Sequence, residues 1–259
     1  MKTLLSVLLV VALNTFNAAA ESKSVSGRVI KYPLNVRAGA GMKYTAVAQL
    51  AKHNPVEITA VHPKWLAIKP PANSRVWVQA RFVKKGRLLS NVNLRSGPST
   101  GYEPLGTGRR GTRVTVHGKP TPAGWVSISA PEYISFYVGR PAIEADEKAL
   151  AGLPKFNAPG GKPLPNEELI QLEGNFTSAG KNVRITGYIY EEKQNSIKAI
   201  SHVFYEAKGE ELVPRCFVMP NRQKLDKFNE KKVMIIGESY KVKNWQLPVV
   251  IVKIVRLAE

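Results

Sequence analysis

Residues 35–44 read NVRAGAGMKY and residues 93–102 read NLRSGPSTGY, and this repeated decapeptide decides the fold. Both copies carry Asn, Arg, Gly and Tyr at the same positions, 58 residues apart. Gly and Pro in such a segment mark sharp turns, because Gly adopts backbone angles closed to other residues and Pro fixes its own φ. We interpret the motif as the folding signature of a small duplicated module, in preference to a ligand-contact or catalytic signature.

The repeat extends beyond the decapeptide over two stretches of similar length. Segments such as VEITAV at 56–61 and WVSI at 125–128 alternate apolar and polar residues, which is typical of half-buried β-strands. Trp65 of the first copy corresponds to Trp125 of the second after a two-residue insertion. Neither copy contains an amphipathic helical pattern. We therefore predict two small β-barrels, one per repeat, over residues 21–86 and 87–143.

The rest of the chain has a different pattern. Residues 144–166 are rich in Pro and Gly and predict a linker with one helical turn near its start. Residues 167–259 predict three strands, a short helix and two more strands, with Gly187 and Gly237 interrupting strands where a barrel must bend. This order favours a five-stranded OB-like barrel. The predicted fold class is all-β, with two tandem small barrels followed by the OB-like barrel.

The first 20 residues predict a cleaved signal peptide. Lys2 precedes a mostly apolar stretch from Leu4 to Phe16, and three alanines at 18–20 supply the small residues that signal peptidase requires. The apolar stretch is shorter than the roughly 20 residues that span a bilayer. We expect export, cleavage near Ala20, a location in the periplasm or outside the cell in association with the cell wall, and no transmembrane anchor.

Positive charge is concentrated in the repeats. Residues 21–143 carry 19 Lys and Arg against 4 Asp and Glu, a net charge of +15, whereas residues 144–259 carry 18 against 15, a net charge of +3. A field of this kind attracts anionic polymers and raises their rate of encounter. The alternative is a solvated basic surface that serves only solubility.

The repeated pattern resembles bacterial SH3-type (SH3b) domains. It consists of N-[VL]-R-x-G-x-x-x-x-Y, a V-x-[IV] strand, a strand that opens with Trp, and a last strand with an aromatic residue before Val. The resemblance covers about 28–84 and 87–143; the first copy has Ala40 where the second has the usual Pro98. It implies small β-barrels that accompany cell-wall enzymes or envelope proteins and often target peptidoglycan.

The chemistry-bearing residues argue against an enzyme. Cys216 is the single cysteine, and all four histidines precede it, whereas a papain-like wall peptidase has its Cys before its His. The histidines have no spacing that would hold a catalytic zinc ion, and no carboxylate pair or phosphate loop is evident. We expect Cys216 to be buried and inert. We predict no catalytic residues, no metal and no cofactor.

Candidate ligand-binding residues are the aromatic and basic side chains expected near the surface. Trp77 and Tyr137 occupy equivalent positions in the last strand of each repeat, and aromatic rings on small barrels stack on sugars, prolines or bases. OB-folds use the loop between strands four and five for oligonucleotides or oligosaccharides, and SYKVKNWQLP at 239–248 occupies that place. The predicted binding residues are Trp77, Tyr137, Arg75, Arg81, Arg109, Arg110, Lys241, Lys243 and Trp245.

The leading functional hypothesis is an exported, non-catalytic envelope protein that binds peptidoglycan or another anionic wall polymer. The alternatives are a protein–protein adaptor in the envelope and a binder of oligonucleotides or oligosaccharides through the OB-like domain, with nucleic acid the less favoured ligand. Salt distinguishes the first two hypotheses, because polymer binding by cations weakens steeply as salt screens the charges. An adaptor contact made by apolar burial would not weaken in this way.

Overall fold

The computed structural model describes residues 23–157, 165–193, 195, 197–209, 211–221 and 223–258. The predicted signal peptide and the middle of the predicted linker lie outside these ranges. The described chain is all-β, as predicted, with short helical segments between its sheets. Its helices are all too short or too polar to cross a membrane.

The two repeats contribute fourteen strands to the described structure, numbered here in chain order. They are β1 (Val25–Val29), β2 (Leu34–Arg37), β3 (Ala46–Leu50), β4 (Pro55–Val61), β5 (Trp65–Ile68), β6 (Arg75–Gln79), β7 (Val83–Lys84), β8 (Arg87–Leu88), β9 (Val92–Arg95), β10 (Pro104–Gly108), β11 (Val116–His117), β12 (Trp125–Ser129), β13 (Phe136–Gly139) and β14 (Ile143–Ala145). Turns of 3₁₀ helix at Ala80–Phe82 and Arg140–Ala142 follow β6 and β13.

The repeats exchange their last strands. In one sheet, β13 of the second repeat lies between β5 and β2 of the first, and β14 pairs with β1. In the other sheet, β6 of the first repeat lies between β12 and β9 of the second. Module 1 is defined here as β1–β5 with β13 and β14, and module 2 as β6–β12. The structure thus differs from the expected arrangement, in which each repeat completes its own barrel.

Two proline-containing loops cross between the modules. In an unexchanged barrel, residues 69–74 and 130–135 would each be the loop of a hairpin. Pro70, Pro71 and Pro131 lie in these loops, and proline fixes its own φ and holds the preceding residue in an extended conformation. The loops run side by side instead, with Ala130 N donating to Ser74 O at 3.2 Å. One hydrophobic cluster consequently extends through both modules.

The repeated decapeptide locks a loop in each module. Arg37 Nη1 donates to Tyr44 O at 2.8 Å, and Arg95 Nη1 donates to Tyr102 O at 2.6 Å. The tyrosine ring then lies on a glycine, because a Cβ added at Gly97 would be 2.6 Å from the ring of Tyr102. Every residue type shared by the two copies except Asn therefore has a role in this loop. These contacts within the loop support the interpretation of the motif as a folding signature.

The C-terminal region forms a closed barrel preceded by two helices. The helices are α1 (Glu147–Ala151) and α2 (Glu167–Gly174), and the strands are β15 (Lys181–Glu191), β16 (His202–Lys208), β17 (Glu211–Pro220), β18 (Lys232–Tyr240) and β19 (Val249–Leu257). The barrel order is β15-β16-β17-β19-β18. A 3₁₀ turn at Asp226–Phe228 takes the place of the predicted short helix, and α2 was not predicted.

Two glycines permit this barrel to close. A Cβ at Gly187 would lie 2.2 Å from Tyr205 O, and one at Gly237 would lie 2.3 Å from Ile251 O. The pairing register of β18 and β19 shifts beside Gly237. Neighbouring backbones can therefore approach at these positions because the residue has no side chain. The predicted five strands and the role of both glycines are confirmed.

Candidate binding cleft

A cleft lies between module 2 and the C-terminal barrel, with α2 contributing to its lining. It consists of two adjoining recesses, which share the side chains of Gln79, Arg81, Thr100 and Asn221. Strand exchange positions the first two of these residues, because β6 and the 3₁₀ turn after it come from the first repeat. The cleft therefore depends on both repeats and on the C-terminal region.

The larger recess, here called the polar recess, has a volume of about 490 Å³. Five of its eleven lining residues carry an amide or a hydroxyl group, two are arginines and four are apolar, and Asn93 and Thr100 are exposed in it. Such groups both donate and accept hydrogen bonds, so the recess suits ligands rich in hydroxyl and amide groups. Its lining residues are Val78, Gln79, Arg81, Phe82, Asn91, Val92, Asn93, Arg95, Thr100, Trp125 and Asn221.

The smaller recess, here called the apolar recess, has a volume of about 310 Å³ and is the more hydrophobic. Leu169 and Phe176 reach it from α2 and the segment that follows, while Met219 and Ile251 reach it from the C-terminal barrel. An apolar group beside a polar one, as in an N-acetylated sugar or a short peptide, would fit the pair of recesses.

Glu173 joins α2 to module 2 at the bottom of the interface. One carboxylate oxygen accepts hydrogen bonds from the backbone N (3.1 Å) and the hydroxyl of Thr100, and the other accepts from Trp125 Nε1 at 3.0 Å. Burial raises the pKa of this carboxyl above its ordinary range, although the donated hydrogen bonds oppose the shift. The carboxylate is occupied by protein donors, so its role is to position α2.

Glu238 of β18 is the second carboxylate of the cleft. Its oxygens lie 2.9 Å from Arg81 Nη1 and 2.7 Å from Lys253 Nζ, and Tyr240 Oη donates to it at 2.9 Å. Burial opposes the charged form, but the hydrogen bonds from Lys253 and Tyr240 and the charge of Arg81 outweigh it, and the pKa of Glu238 lies below its ordinary range. The Arg81–Glu238 pair links module 2 to the C-terminal barrel.

Of the predicted binding residues, Arg81 alone lines the cleft. Its guanidinium also lies 4.9 Å from the centre of the Phe82 ring. Trp77 is half-buried and packs against the apolar cluster that joins Trp125 to α2 and the C-terminal barrel. The ring of Trp77 therefore packs in the interface between module 2 and the C-terminal region.

Tyr137 occupies a separate recess on module 1. Its ring meets His62 edge-on at 5.4 Å, and Phe156, from the segment after α1, stacks on His62 at 5.1 Å. The recess is lined by Thr59, Ala60, His62, Ala67, Ser135, Tyr137, Pro154 and Phe156. The equivalent positions Trp77 and Tyr137 thus face different partners.

The predicted C-terminal site is partly assembled. Trp245 lines a recess of about 310 Å³ together with Asn195, Phe217, Asn244, Gln246 and Leu247, and its ring meets Phe217 edge-on at 5.1 Å. Lys241 and Lys243 are exposed on the same connection but do not line the recess.

The remaining predicted residues lie outside these recesses. Arg75 donates from Nη1 to Ser74 O at 3.1 Å within its own loop. Arg109 and Arg110 are exposed on the loop after β10, where Arg110 N donates to Asn91 Oδ1 at 2.9 Å. The structure therefore distributes the nine predicted residues over several places.

Sequence reasoning missed the residues that connect the cleft to the C-terminal region, above all Glu173. Asn166 caps α2 by accepting a hydrogen bond from Leu169 N at 3.2 Å, and two glutamates occupy the first helical turn. An Asn followed by acidic residues and an apolar periodic segment is a recognisable helix start. That signal lay at the end of the segment interpreted as a linker.

Two observations on the described residues concern catalytic groups. Among them, no three His, Cys, Asp or Glu side chains come together in a way that could hold a metal ion. Cys216 is buried, and burial raises the pKa of its thiol to about 12. Its sulfur is therefore protonated near neutral pH, in agreement with the expected inert role.

Comparison with known proteins places module 2 in context. Residues 90–135 match the family described as "Bacterial SH3 domain". The chain is 27% identical over 111 residues to "Putative N-acetylmuramoyl-L-alanine amidase YrvJ" of Bacillus subtilis (strain 168), a match that covers 37% of this chain and 21% of that protein. The chain thus spans about a fifth of that relative's length. No solved structure gives a significant match.

The family match includes the amide-bearing wall of the polar recess. Asn91, Asn93, Thr100 and Trp125 all lie within 90–135, whereas Gln79 and Arg81 come from outside it on the exchanged unit. The resemblance of the first repeat to the same family stays a prediction.

Proposed function

We propose that this protein binds peptidoglycan in the bacterial cell envelope through the cleft beside module 2 and that it has no catalytic activity. The observation that carries the proposal is the polar recess, whose amide and hydroxyl lining falls largely within the bacterial SH3 match. The relative is named for N-acetylmuramoyl-L-alanine, which joins a sugar to an amino acid. The sugar of such a linkage presents hydroxyl and acetamide groups and the alanine presents amide groups, which the recess complements.

Two side chains support a binding role in place of catalysis. Cys216 is a buried thiol with a raised pKa, so it does not supply a thiolate nucleophile. The Glu173 carboxylate is held by Thr100 and Trp125, which leaves it poorly placed to move a proton on a ligand. The match to the relative covers only the part of each chain stated above, so an amidase activity is not carried over.

Sedimentation with insoluble peptidoglycan tests the proposal. The mature chain, incubated at low salt, is expected in the pellet, and the pelleted peptidoglycan is expected to release no soluble fragments. Retention of all the protein in the supernatant would overturn the binding proposal, and release of fragments would overturn its non-catalytic part.

Export is part of the same proposal. The sequence MKTLLSVLLVVALNTFNAAA is proposed to direct secretion and to be removed after Ala20. Intact-mass measurement on protein recovered from the envelope fraction is expected to show a chain that begins at Glu21. A chain that retains Met1 in the cytoplasmic fraction would contradict this step.

A second candidate function concerns the C-terminal barrel, which we infer to be OB-like from its strand order, first strand pairing with both second and fourth. The recess at Trp245 combines an aromatic ring with the side-chain amides of Asn195, Asn244 and Gln246. Because none of the described residues that line it is a cation, this recess favours an oligosaccharide over an oligonucleotide. Soluble glycan fragments are expected to protect the fluorescence of Trp245 from quenching. Oligonucleotides are expected to have no such effect.

A further inference from the structure

Two short turns of module 2 lie against each other and bring six cations together. The turn between β7 and β8 meets the loop after β10 through three backbone hydrogen bonds, which join Leu88 N to Thr112 O at 3.0 Å, Gly111 N to Leu88 O at 2.7 Å, and Val114 N to Gly86 O at 2.9 Å. Arg87 and Arg113 are directly paired across the contact. The basic face is defined as Lys84, Lys85, Arg87, Arg109, Arg110 and Arg113.

All six side chains of the basic face are exposed. None of them forms an ion pair with a carboxylate in the part of the chain that the structure describes. Glu103, the nearest acidic residue in sequence, is buried and bonded to Thr45 and Ser96. Six like charges on adjacent turns repel one another, so binding of an anionic ligand would reduce this repulsion.

The fold does not require these charges, as module 1 shows. Its backbone repeats the same contacts, with Val29 N bonded to Asn54 O at 3.0 Å and His53 N bonded to Val29 O at 2.8 Å. The positions equivalent to the basic face are Glu144, Ala145, Arg28, Ala51, Lys52 and Pro55. They carry two cations and one anion, a net charge of +1 against +6 in module 2.

We propose that the basic face is a second binding site, specific for a linear polymer that carries phosphate groups along its chain. Four of the six cations are arginines, whose planar guanidinium binds two phosphate oxygens at once. The two turns adjoin, so their cations form one continuous cluster, which suits a chain of repeated anions better than one isolated anion. The site goes beyond the proposed function, because none of its six residues lines either recess of the cleft.

The composition of the turns favours a polymer over a bilayer surface. The segments KKGR at 84–87 and RRGTR at 109–113 contain no apolar side chain that could enter lipid. Amphipathic segments that lie in a bilayer surface combine their cations with apolar anchors such as Trp, Phe or Leu. Here, Gly and Thr separate the cations.

The test measures binding of the full mature chain to fluorescently labelled inorganic polyphosphate by anisotropy, over a series of NaCl concentrations. We expect binding at low salt that weakens steeply as salt rises, because each neutralised phosphate releases counterions. The variant Arg109→Gln/Arg110→Gln/Arg113→Gln is expected to bind about tenfold more weakly or worse, with a salt slope smaller by about three.

A matched control removes three exposed cations from module 1. The variant Arg28→Gln/Lys31→Gln/Lys52→Gln has the same net charge as the basic-face variant, and it is expected to bind polyphosphate like the wild type. Equal weakening by both variants, or no binding by the wild type at low salt, would overturn the site.

Two further arms separate this site from other ligands. Vesicles of phosphatidylcholine and phosphatidylglycerol are expected to bind more weakly than polyphosphate, and equal binding with the same sensitivity to the arginine variant would overturn the polymer assignment in favour of a lipid surface. The arginine variant is expected to sediment with phosphate-free peptidoglycan to the same extent as the wild type. The peptidoglycan assay thus tests the cleft, and the polyphosphate assay tests the basic face.

Discussion

Glu103 and Thr45, which occupy equivalent positions in the two repeats, are bonded to each other. The carboxylate of Glu103 accepts from Thr45 N at 2.9 Å and Thr45 Oγ1 at 2.8 Å, and it accepts as well from the hydroxyl of Ser96. The motif loops of modules 1 and 2 therefore meet at a buried carboxylate that is only 1% exposed. The equivalent position carries a donor in the first repeat and an acceptor in the second.

Replacement of Glu103 by Ala should destabilise the protein. Donors on half-buried Thr45 and on buried Ser96 would lose their acceptor, and the loss of an acceptor by a buried donor costs about 1–3 kcal/mol. Urea denaturation should show a lower free energy of unfolding for Glu103→Ala, whereas the exposed control Glu132→Ala should change it by less than about 0.5 kcal/mol. Equal effects of the two substitutions would contradict the role of the Glu103–Thr45 contact.

Engineered disulfides should report the strand exchange directly. Ala67 of β5 lies opposite Tyr137 of β13, and Trp77 of β6 lies opposite Ser127. Facing residues of antiparallel strands have Cα atoms about 4.5–5.5 Å apart, which a disulfide spans. Ala67→Cys with Tyr137→Cys should oxidise to one disulfide, detected by thiol counting on the intact protein.

The control for this experiment is Ala67→Cys with Trp77→Cys, which would cross-link only if each repeat closed its own barrel. Preferential oxidation of that pair would refute the exchange. The native thiol of Cys216 should not interfere, since it is buried and its pKa is raised to about 12.

The glycine of the repeated decapeptide should not tolerate a side chain. A Cβ at position 97 would lie 2.6 Å from the Tyr102 ring, so Gly97→Ala forces the ring to move and should cost about 1–3 kcal/mol of stability. Gly174→Ala is the control, because nothing lies within 4 Å of its added Cβ at the end of α2. A drop in thermal midpoint for the first variant alone is the expected measurement.

The ion pairs of Glu238 should make stability depend on pH. Its pKa is lower in the folded protein than in the unfolded chain, so its contribution is present above the ordinary carboxyl pKa and is lost as the pH falls through the folded value. Glu238→Gln should therefore be less stable than wild type near neutral pH. The difference should diminish in acid, in chemical denaturation at a series of pH values.

The control for the pH series is Glu132→Gln, whose carboxylate is exposed and forms no salt bridge within the described residues. A difference between wild type and Glu238→Gln that stays constant with pH would argue that the substitution acts through packing and not through charge.

Loss of an amide from the polar recess should weaken binding to peptidoglycan. Asn93 is exposed in the recess, and one hydrogen bond contributes about 0.5–1.5 kcal/mol, so Asn93→Ala should bind about 2- to 10-fold more weakly. The repeat supplies its own control in Asn35→Ala, the equivalent position of module 1. Equal loss in quantitative sedimentation for both variants would remove the cleft from the proposal.

Local sequence patterns predicted most elements of this fold but not their partners. Alternation indicated β5 and β12, and the spacing of Gly187 and Gly237 indicated how the C-terminal barrel bends. Strand exchange escaped prediction because β6 and β13 have equivalent sequences, so each fits the place of the other. Only the loops that connect them distinguish the two arrangements.

The candidate site was less accessible to sequence reasoning than the fold. Arg81 was selected for its charge, yet its position is defined by Glu238, which is 157 residues away in the chain. Asn93 was noted as part of the motif, although its side chain is free of the loop contacts that Arg95 and Gly97 make. A cleft between units that are far apart in the chain cannot be predicted from a local sequence pattern.

Because of strand exchange, it matters whether a chain has an odd or an even number of such repeats. The boundary between the repeats, near residue 86, falls inside the β7–β8 turn of module 2, so a cut there would divide a module instead of separating two. In a chain with two repeats, the exchanged strand of each repeat pairs with strands of the other repeat in the same chain. A chain with one repeat, or with three, would have a last strand that must fold back across a proline-containing loop or find its place in a second molecule.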